Sequence, residues 1–157
     1  MTGVAYKGST IADSNKSGHV SYVERYQTGT TCVDWDEDGN CIRREPVYST
    51  TTHTTGAKIT GTVNPTSTVY VNGQPIASVS SPTQEQWVAD PPPSPQLGGT
   101  IISISPGTSG SGSGQVSTGS STVFVGGKAV SSIGKNVATH LETSTTITSG
   151  SNNVFVN

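Results

Sequence analysis

One phrase occurs three times in this chain, and any fold has to give its copies equivalent surroundings. Thr66-Ser67-Thr68-Val69-Tyr70-Val71-Asn72-Gly73-Gln74-Pro75-Ile76-Ala77 returns as Gly119-Ser120-Ser121-Thr122-Val123-Phe124-Val125-Gly126-Gly127-Lys128-Ala129-Val130, and in shortened form as Gly150-Ser151-Asn152-Asn153-Val154-Phe155-Val156-Asn157. Each copy is a short β-branched and aromatic run entered through small polar residues. The first two leave through Asn72-Gly73 and Gly126-Gly127, the residue types that two-residue hairpin turns select because such turns need positive φ. A second strand follows each turn, Pro75 to Val79 and Ala129 to Ile133, so the unit is a hairpin. One hairpin cannot bury its own apolar face in water. Three from a single chain can lean on one another around a common axis.

Hydrophobic residues make up 30% and charged residues 11% of the 157 positions. Disordered chains combine low hydrophobicity with high net charge and few β-branched residues, and this chain is rich in Thr and Val. The composition fits strands held largely by backbone ladders around a thin core. A thin core calls for an added staple: a metal, a disulfide or a bound partner. The net charge of −2 gives no basic face for nucleic acid. No stretch reaches the length of a membrane span, and Met1 to Lys7 lacks the apolar centre of a signal peptide. Synthesis in the cytoplasm and delivery as part of a larger assembly are expected.

Along the chain, Val4-Ala5-Tyr6 reads as a strand and leads into a polar loop ending at Ser17-Gly18-His19. Val20 to Tyr26 and Thr30 to Trp35 read as strands, and Glu37-Asp38-Gly39-Asn40 turns the chain into Cys41 to Arg44. Pro91-Pro92-Pro93-Ser94-Pro95 excludes helix and central strand, so Pro82 to Gly99 is expected to be an extended loop. The Gly/Ser tract from Gly107 to Gly114 is expected to be mobile. Helical periodicity is absent. The expectation is therefore an all-β single domain over residues 1–157, with an inserted hairpin at about 20–48 and a Pro-rich loop at about 82–99.

His53 and His140 stand at equivalent places just ahead of copies one and three, and His19 closes the first polar loop. A lone histidine in such a loop is ordinarily solvated. If the hairpin units converge, equivalent loop positions converge too, and three imidazoles meet at one end. Neutral imidazole suits Zn(II) or Fe(II), with Cys32 or Cys41 as fourth ligand of a tetrahedral site. Asp34-Trp35-Asp36-Glu37-Asp38-Gly39 with Glu45 at the twelfth position satisfies the EF-hand loop expression. The flanks read as strands and Pro46 follows, so this segment is taken as a turn. A turn centred on Asp38-Gly39 would pair Cys41 with Asp36 and not with Cys32. A disulfide, or one cysteine as ligand and the other as a small buried hydrophobe, are both open. Neither Gly-x-Ser-x-Gly, nor a phosphate-cradling loop, nor His-Glu-x-x-His occurs. The chain does not read as an enzyme, and no small-molecule substrate is expected.

The run Gly-Ser-x-x-Val-Phe-Val with an Asn-Gly-x-Pro-x-Ala exit, preceded by a Gly-His and a Thr-His, resembles the PAAR-repeat family (proline-alanine-alanine-arginine). Those proteins form the pointed tip of the central spike in contractile phage tails and type VI secretion systems. Gly3-Val4-Ala5-Tyr6-Lys7-Gly8-Ser9-Thr10 looks like the family's usual start, with Ser9 in place of its Asp. Ser17-Gly18-His19 is similar to the first metal histidine and Thr52-His53 to the second, while Thr139-His140 sits where the family more often has cysteine. The eponymous motif is eroded to Gln74-Pro75-Ile76-Ala77-Ser78 and Lys128-Ala129-Val130-Ser131-Ser132. Ser80-Ser81 and Gly134-Lys135 replace the Gly-Asp that follows each hairpin, and no histidine stands near Leu97-Gly98-Gly99.

The resemblance implies a small pseudo-three-fold cone of β-hairpin repeats whose base caps a trimeric β-helical spike, one tip per trimer. It implies one Zn or Fe ion near the apex, held by His19, His53 and His140. It also implies a virion tail baseplate location and transient contact with a target outer membrane during contraction. The short chain favours a phage tail over a secretion system. A different reading of the aromatic residues is a β-rich surface-binding module of a tail fibre or adhesin, recognising a glycan or receptor through Tyr22, Tyr26, Trp35 and Trp87.

Overall fold

The computed structural model describes all residues from Met1 to Asn157, and every regular element in it is a β-strand. In chain order these are β1 (Thr2–Gly3), β2 (Ser14–Trp35), β3 (Cys41–Val63), β4 (Tyr70–Val71), β5 (Gln74–Pro75), β6 (Thr83–Asp90) and β7 (Thr100–Ser105). They continue as β8 (Ser109–Gly112), β9 (Gln115–Val116), β10 (Phe124–Val125), β11 (Lys128–Ala129), β12 (Asn136–Ala138), β13 (Ser144–Thr146) and β14 (Phe155–Val156). The all-β expectation holds. The chain divides into two compact units: Met1–Ser17, Ala57–Val88 and Ser109–Asn157 form the first, Gly18–Gly56 and Ala89–Thr108 the second.

The repeats build the first unit. Ala77 donates its N–H to the Ala5 carbonyl (2.9 Å), Ala5 to Ser131 (3.0 Å) and Ser131 to Ala77 (2.9 Å), which closes a ring of three segments. All three residues are fully buried, so the ring's hydrogen bonds are shielded from water. Bridges Val4↔Ser132, Tyr6↔Ile76 and Ser78↔Val130 join the same segments pairwise. Outward from the ring, each segment receives its own copy of the repeat. Ile76 bonds Val69 (2.8 Å), Val130 bonds Val123 (2.9 Å) and Val4 bonds Val154 (3.0 Å). β4 pairs with β5, β10 with β11, and β14 with β1. The third hairpin therefore takes its second strand from the start of the chain, with Thr2 opposite Val156 and Gly3 opposite Phe155. The shortened copy is completed by residues from the opposite end of the chain.

The turn after each ring segment is also repeated. Gly8, Ser80 and Gly134 all have positive φ (95°, 73° and 88°) and donate to Val63, Val116 and Ile147. Glycine takes that conformation without a Cβ penalty, whereas Ser80 carries one. Two apolar layers lie along these segments. Val4, Ile76 and Val130 pack with Val71 and Val156 in one; Ala5, Ala77, Ile11, Val63, Val116, Val137 and Ile147 form the other. At about 25 cal/mol per Å² such small side chains give a modest burial term, and closure of the backbone ring supplies what a larger core would.

The inserted segments depart from the sequence reading in extent. The hairpin expected at about 20–48 is far longer, because β2 begins at Ser14 and β3 continues to Val63. Within the expected loop at 82–99, residues Thr83 to Asp90 form β6, with strict alternation of buried and exposed positions. The proline run terminates that strand instead of forbidding it. The Gly/Ser tract contains β8, paired with β6 from Glu85↔Gly112 to Val88↔Ser109. Its glycine content answers a packing need: a Cβ on Gly112 would stand 2.2 Å from the His140 ring. In the second unit β7 pairs with β2 from Ser21↔Ser105 to Arg25↔Thr100.

Candidate functional site

Two glutamates that the sequence reading passed over organise the polar interior, and each holds one of the histidines singled out above. Glu85 alternates inward on β6 between Thr83 and Trp87 and is fully buried. Its Oε1 accepts the His140 backbone N–H (2.9 Å) and lies 2.6 Å from His140 Nδ1. Its Oε2 accepts the Thr83 hydroxyl and the Gly114 N–H (3.0 Å). A proton on Nδ1 satisfies Glu85 and leaves His140 Nε2 as the lone-pair nitrogen. That atom is buried and has no hydrogen-bond partner.

Glu24 plays the same part in the second unit. It follows Val20 and Tyr22 on the inward face of β2 and is fully buried. His53 Nε2 lies 2.9 Å from Oε1, and the His53 ring also contacts the Tyr22 ring at 5.2 Å. Backbone N–H groups of the loop after the prolines complete the cradle: Gln96 (2.7 Å) to Oε1, Leu97 (2.9 Å) and Gly99 (2.8 Å) to Oε2. Burial pushes the carboxyl pKa up, but the backbone donors from Gln96, Gly99 and Leu97, joined by His53, favour the ionised form more strongly. The net result is a pKa lowered from 4.5 to about 2.

These arrangements orient imidazoles and do not activate nucleophiles. The Thr83 hydroxyl donates to the carboxylate and not to a ring nitrogen, so the glutamate stands between hydroxyl and imidazole, the reverse of the order that hydrolytic triads need. A carboxylate behind a histidine is the usual support of a metal ligand, and His140 with its open Nε2 fits that role alone. Nowhere in the chain do three or more His, Cys, Asp or Glu side chains group as a metal site requires. His140 belongs to the first unit, His53 and half-buried His19 to the second. Cys32 and Cys41 are joined in a disulfide, Cα–Cα 5.9 Å, so the expectation of one of them as a thiolate ligand is overturned. The turn is longer than the sequence reading allowed. Asp36 N–H bonds Asn40 carbonyl (2.9 Å), and the Asp36 carboxylate accepts the N–H of Asp38 and Asn40. Cys41 therefore lies past the turn and not opposite Asp36. The EF-hand expression is spent on this Asx-type turn, as expected.

The signal that identifies Glu24 and Glu85 in sequence is a charged residue at an inward position of an alternating strand. Val20-x-Tyr22-x-Glu24 and Thr83-x-Glu85-x-Trp87 both carry it. Of the four aromatics proposed as a glycan platform, Tyr22 and Trp87 are buried and only Trp35 is well exposed. That platform is not formed.

The other distinctive surface lies on the repeat hairpins. Each places a Val–aromatic pair in water at the same position: Val69 and Tyr70 (45% and 61% exposed), Val123 and Phe124 (39% and 57%), Val154 and Phe155 (40% and 48%). Comparison with protein-family models, curated proteins and solved structures finds no match for this chain.

Proposed function

We propose that this chain is a PAAR-like tip that caps a trimeric β-helical spike of a contractile injection machine, with a phage tail baseplate as its setting. The observation that carries the reading is the threefold recurrence of an exposed Val–aromatic pair on hairpins hung from one closed backbone ring. Large apolar residues scattered singly need no explanation, whereas their recurrence at the equivalent position of all three copies supports a docking surface. A single chain can offer equivalent contacts to each subunit of a trimer only by repeating itself three times. Docking of these hairpin strands against the partner's strand ends is a form of β-augmentation.

The role is mechanical: the tip meets the target envelope first and concentrates the contraction force. It requires no catalytic step. The metal that the resemblance implies finds no donor set: His140 offers one buried, unpartnered ring nitrogen, and no three His, Cys, Asp or Glu side chains group around it.

Native mass spectrometry of the chain co-expressed with the trimeric spike protein of the same particle tests the reading. One chain per three partner chains is expected. The triple variant Tyr70→Ser, Phe124→Ser, Phe155→Ser is expected to keep its far-ultraviolet circular dichroism and to lose the complex. Association that survives the triple substitution, or a one-to-one ratio, refutes the docking surface.

A further inference from the structure

The inserted ribbon has no core, and this gives its disulfide a role beyond decoration. From Gln27 to Thr50 no residue is buried; only Cys32, Val33 and Cys41 are half-exposed. Pairing with β7 stops at Arg25. Side-chain support is sparse: Arg25 stacks over Tyr48 at 4.0 Å, Thr28 Oγ1 donates to the Val47 carbonyl at 3.2 Å, and the Arg43–Glu45 ion pair is long (3.9 Å) and solvated. An isolated two-stranded hairpin is marginal in water, and exposed ion pairs contribute little. What remains is the backbone ladder and the Cys32–Cys41 bond, which closes a loop of sequence separation 9.

We propose that this disulfide is a redox-operated staple: it keeps the far part of the ribbon paired in oxidising surroundings, and a dithiol reductant releases it while leaving the first unit unchanged. Closing so short a loop removes chain entropy worth roughly a hundredfold in the pairing equilibrium. Both cysteines are accessible enough for attack. A reductant thiolate displaces one cysteine sulfur and forms a mixed disulfide. The reductant's second thiol then closes its own disulfide and frees the other sulfur, so the protein gains two electrons and two protons and the reductant loses them. Reducing cytoplasm favours the dithiol and the space outside it the bond. This inference stands whether or not the hairpins dock on a trimer.

Hydrogen–deuterium exchange of the full chain, before and after dithiothreitol, provides the test, with thiol titration alongside. Thiol titration is expected to find no free thiol before reduction and two after it. Amides of residues 27–50 are expected to exchange at least tenfold faster once reduced, with residues 2–11 and 129–137 unchanged. The double variant Cys32→Ser, Cys41→Ser is expected to match the reduced protein and ignore dithiothreitol. Unchanged protection of residues 27–50 with both thiols free overturns the proposal, as do two free thiols before reduction or equal loosening of the first unit.

Discussion

The ring segments and the far ribbon are both β-structure from the same low-hydrophobicity chain, yet they are stabilised in opposite ways. Around Ala5, Ala77 and Ser131 each short segment finds main-chain partners on both sides and lies against an apolar layer. Between Gln27 and Thr50 two long strands have only each other and a covalent bond. Strand length is thus no guide to stability here. The ring segments, bonded to a neighbour on either side, have no edge to fray, while a ribbon of twenty-odd residues exposes both of its edges. The thin core anticipated from composition is met by two devices, backbone closure in one region and a disulfide in the other.

The most severe way to break this contrast is at Glu85, inside the better-protected region. Glu85→Ala strips the acceptor from the Thr83 hydroxyl and from the His140 backbone N–H and Nδ1, and leaves the Gly114 N–H with Thr83 Oγ1 alone. An expected loss of about 4 kcal/mol follows from leaving several buried donors unsatisfied, read as a lower urea midpoint. A loss below about 1 kcal/mol would mean that the pair is peripheral to the fold.

A pH titration sharpens the comparison from the other unit. The Glu24 carboxyl has its folded pKa lowered from 4.5 to about 2. A lowered carboxyl pKa stabilises the folded state fully above the unfolded value, and that contribution fades as pH falls through the folded one. Exchange protection at Gln96, Leu97 and Gly99 is therefore expected to be constant above pH 5 and to decline between about 4.5 and 2. In Glu24→Gln the decline should vanish, because the amide does not titrate and protection is already reduced at neutral pH.

The smallest effect concerns the repeated turn. Ser80 occupies at φ 73° the place that Gly8 and Gly134 fill in the other two copies. Ser80→Gly is expected to stabilise the first unit by about 1 kcal/mol, since it removes a Cβ from a left-handed conformation. A rise of a few degrees in the unfolding midpoint would show it, while a fall would indicate that the serine side chain compensates for its backbone.

Much of the first unit was legible in the linear chain. The Val-aromatic-Val runs, the Asn72-Gly73 and Gly126-Gly127 turns and the absence of helical period pointed to repeated hairpins in an all-β fold. The candidate site was less so. The register of His53 and His140 with the repeats singles them out, but Glu24 and Glu85 hold them, Glu24 from the expected strand Val20 to Tyr26 and Glu85 from a segment expected to be loop. The proline run from Pro91 hid β6 because it masked an alternating pattern that ends one residue before it. The sequence leaves the Cys32–Cys41 disulfide open because a two-residue turn and the longer one observed give different strand registers, and a change of register moves every partner across the ribbon.

By itself the sequence determined the kind of local structure: where strands run, where they reverse, and that one motif recurs three times. These are properties of dihedral preference and side-chain alternation among near neighbours, and they survive without knowledge of the rest of the chain. Tertiary structure alone decided that residues at the start of the chain complete the third hairpin, that two buried carboxylates choose the histidines, and that the cysteines meet. The first two are pairings between segments far apart along the chain, fixed by ring closure and by the need to give every buried polar group a partner, and the third turns on the register of one hairpin; no local pattern encodes those partners.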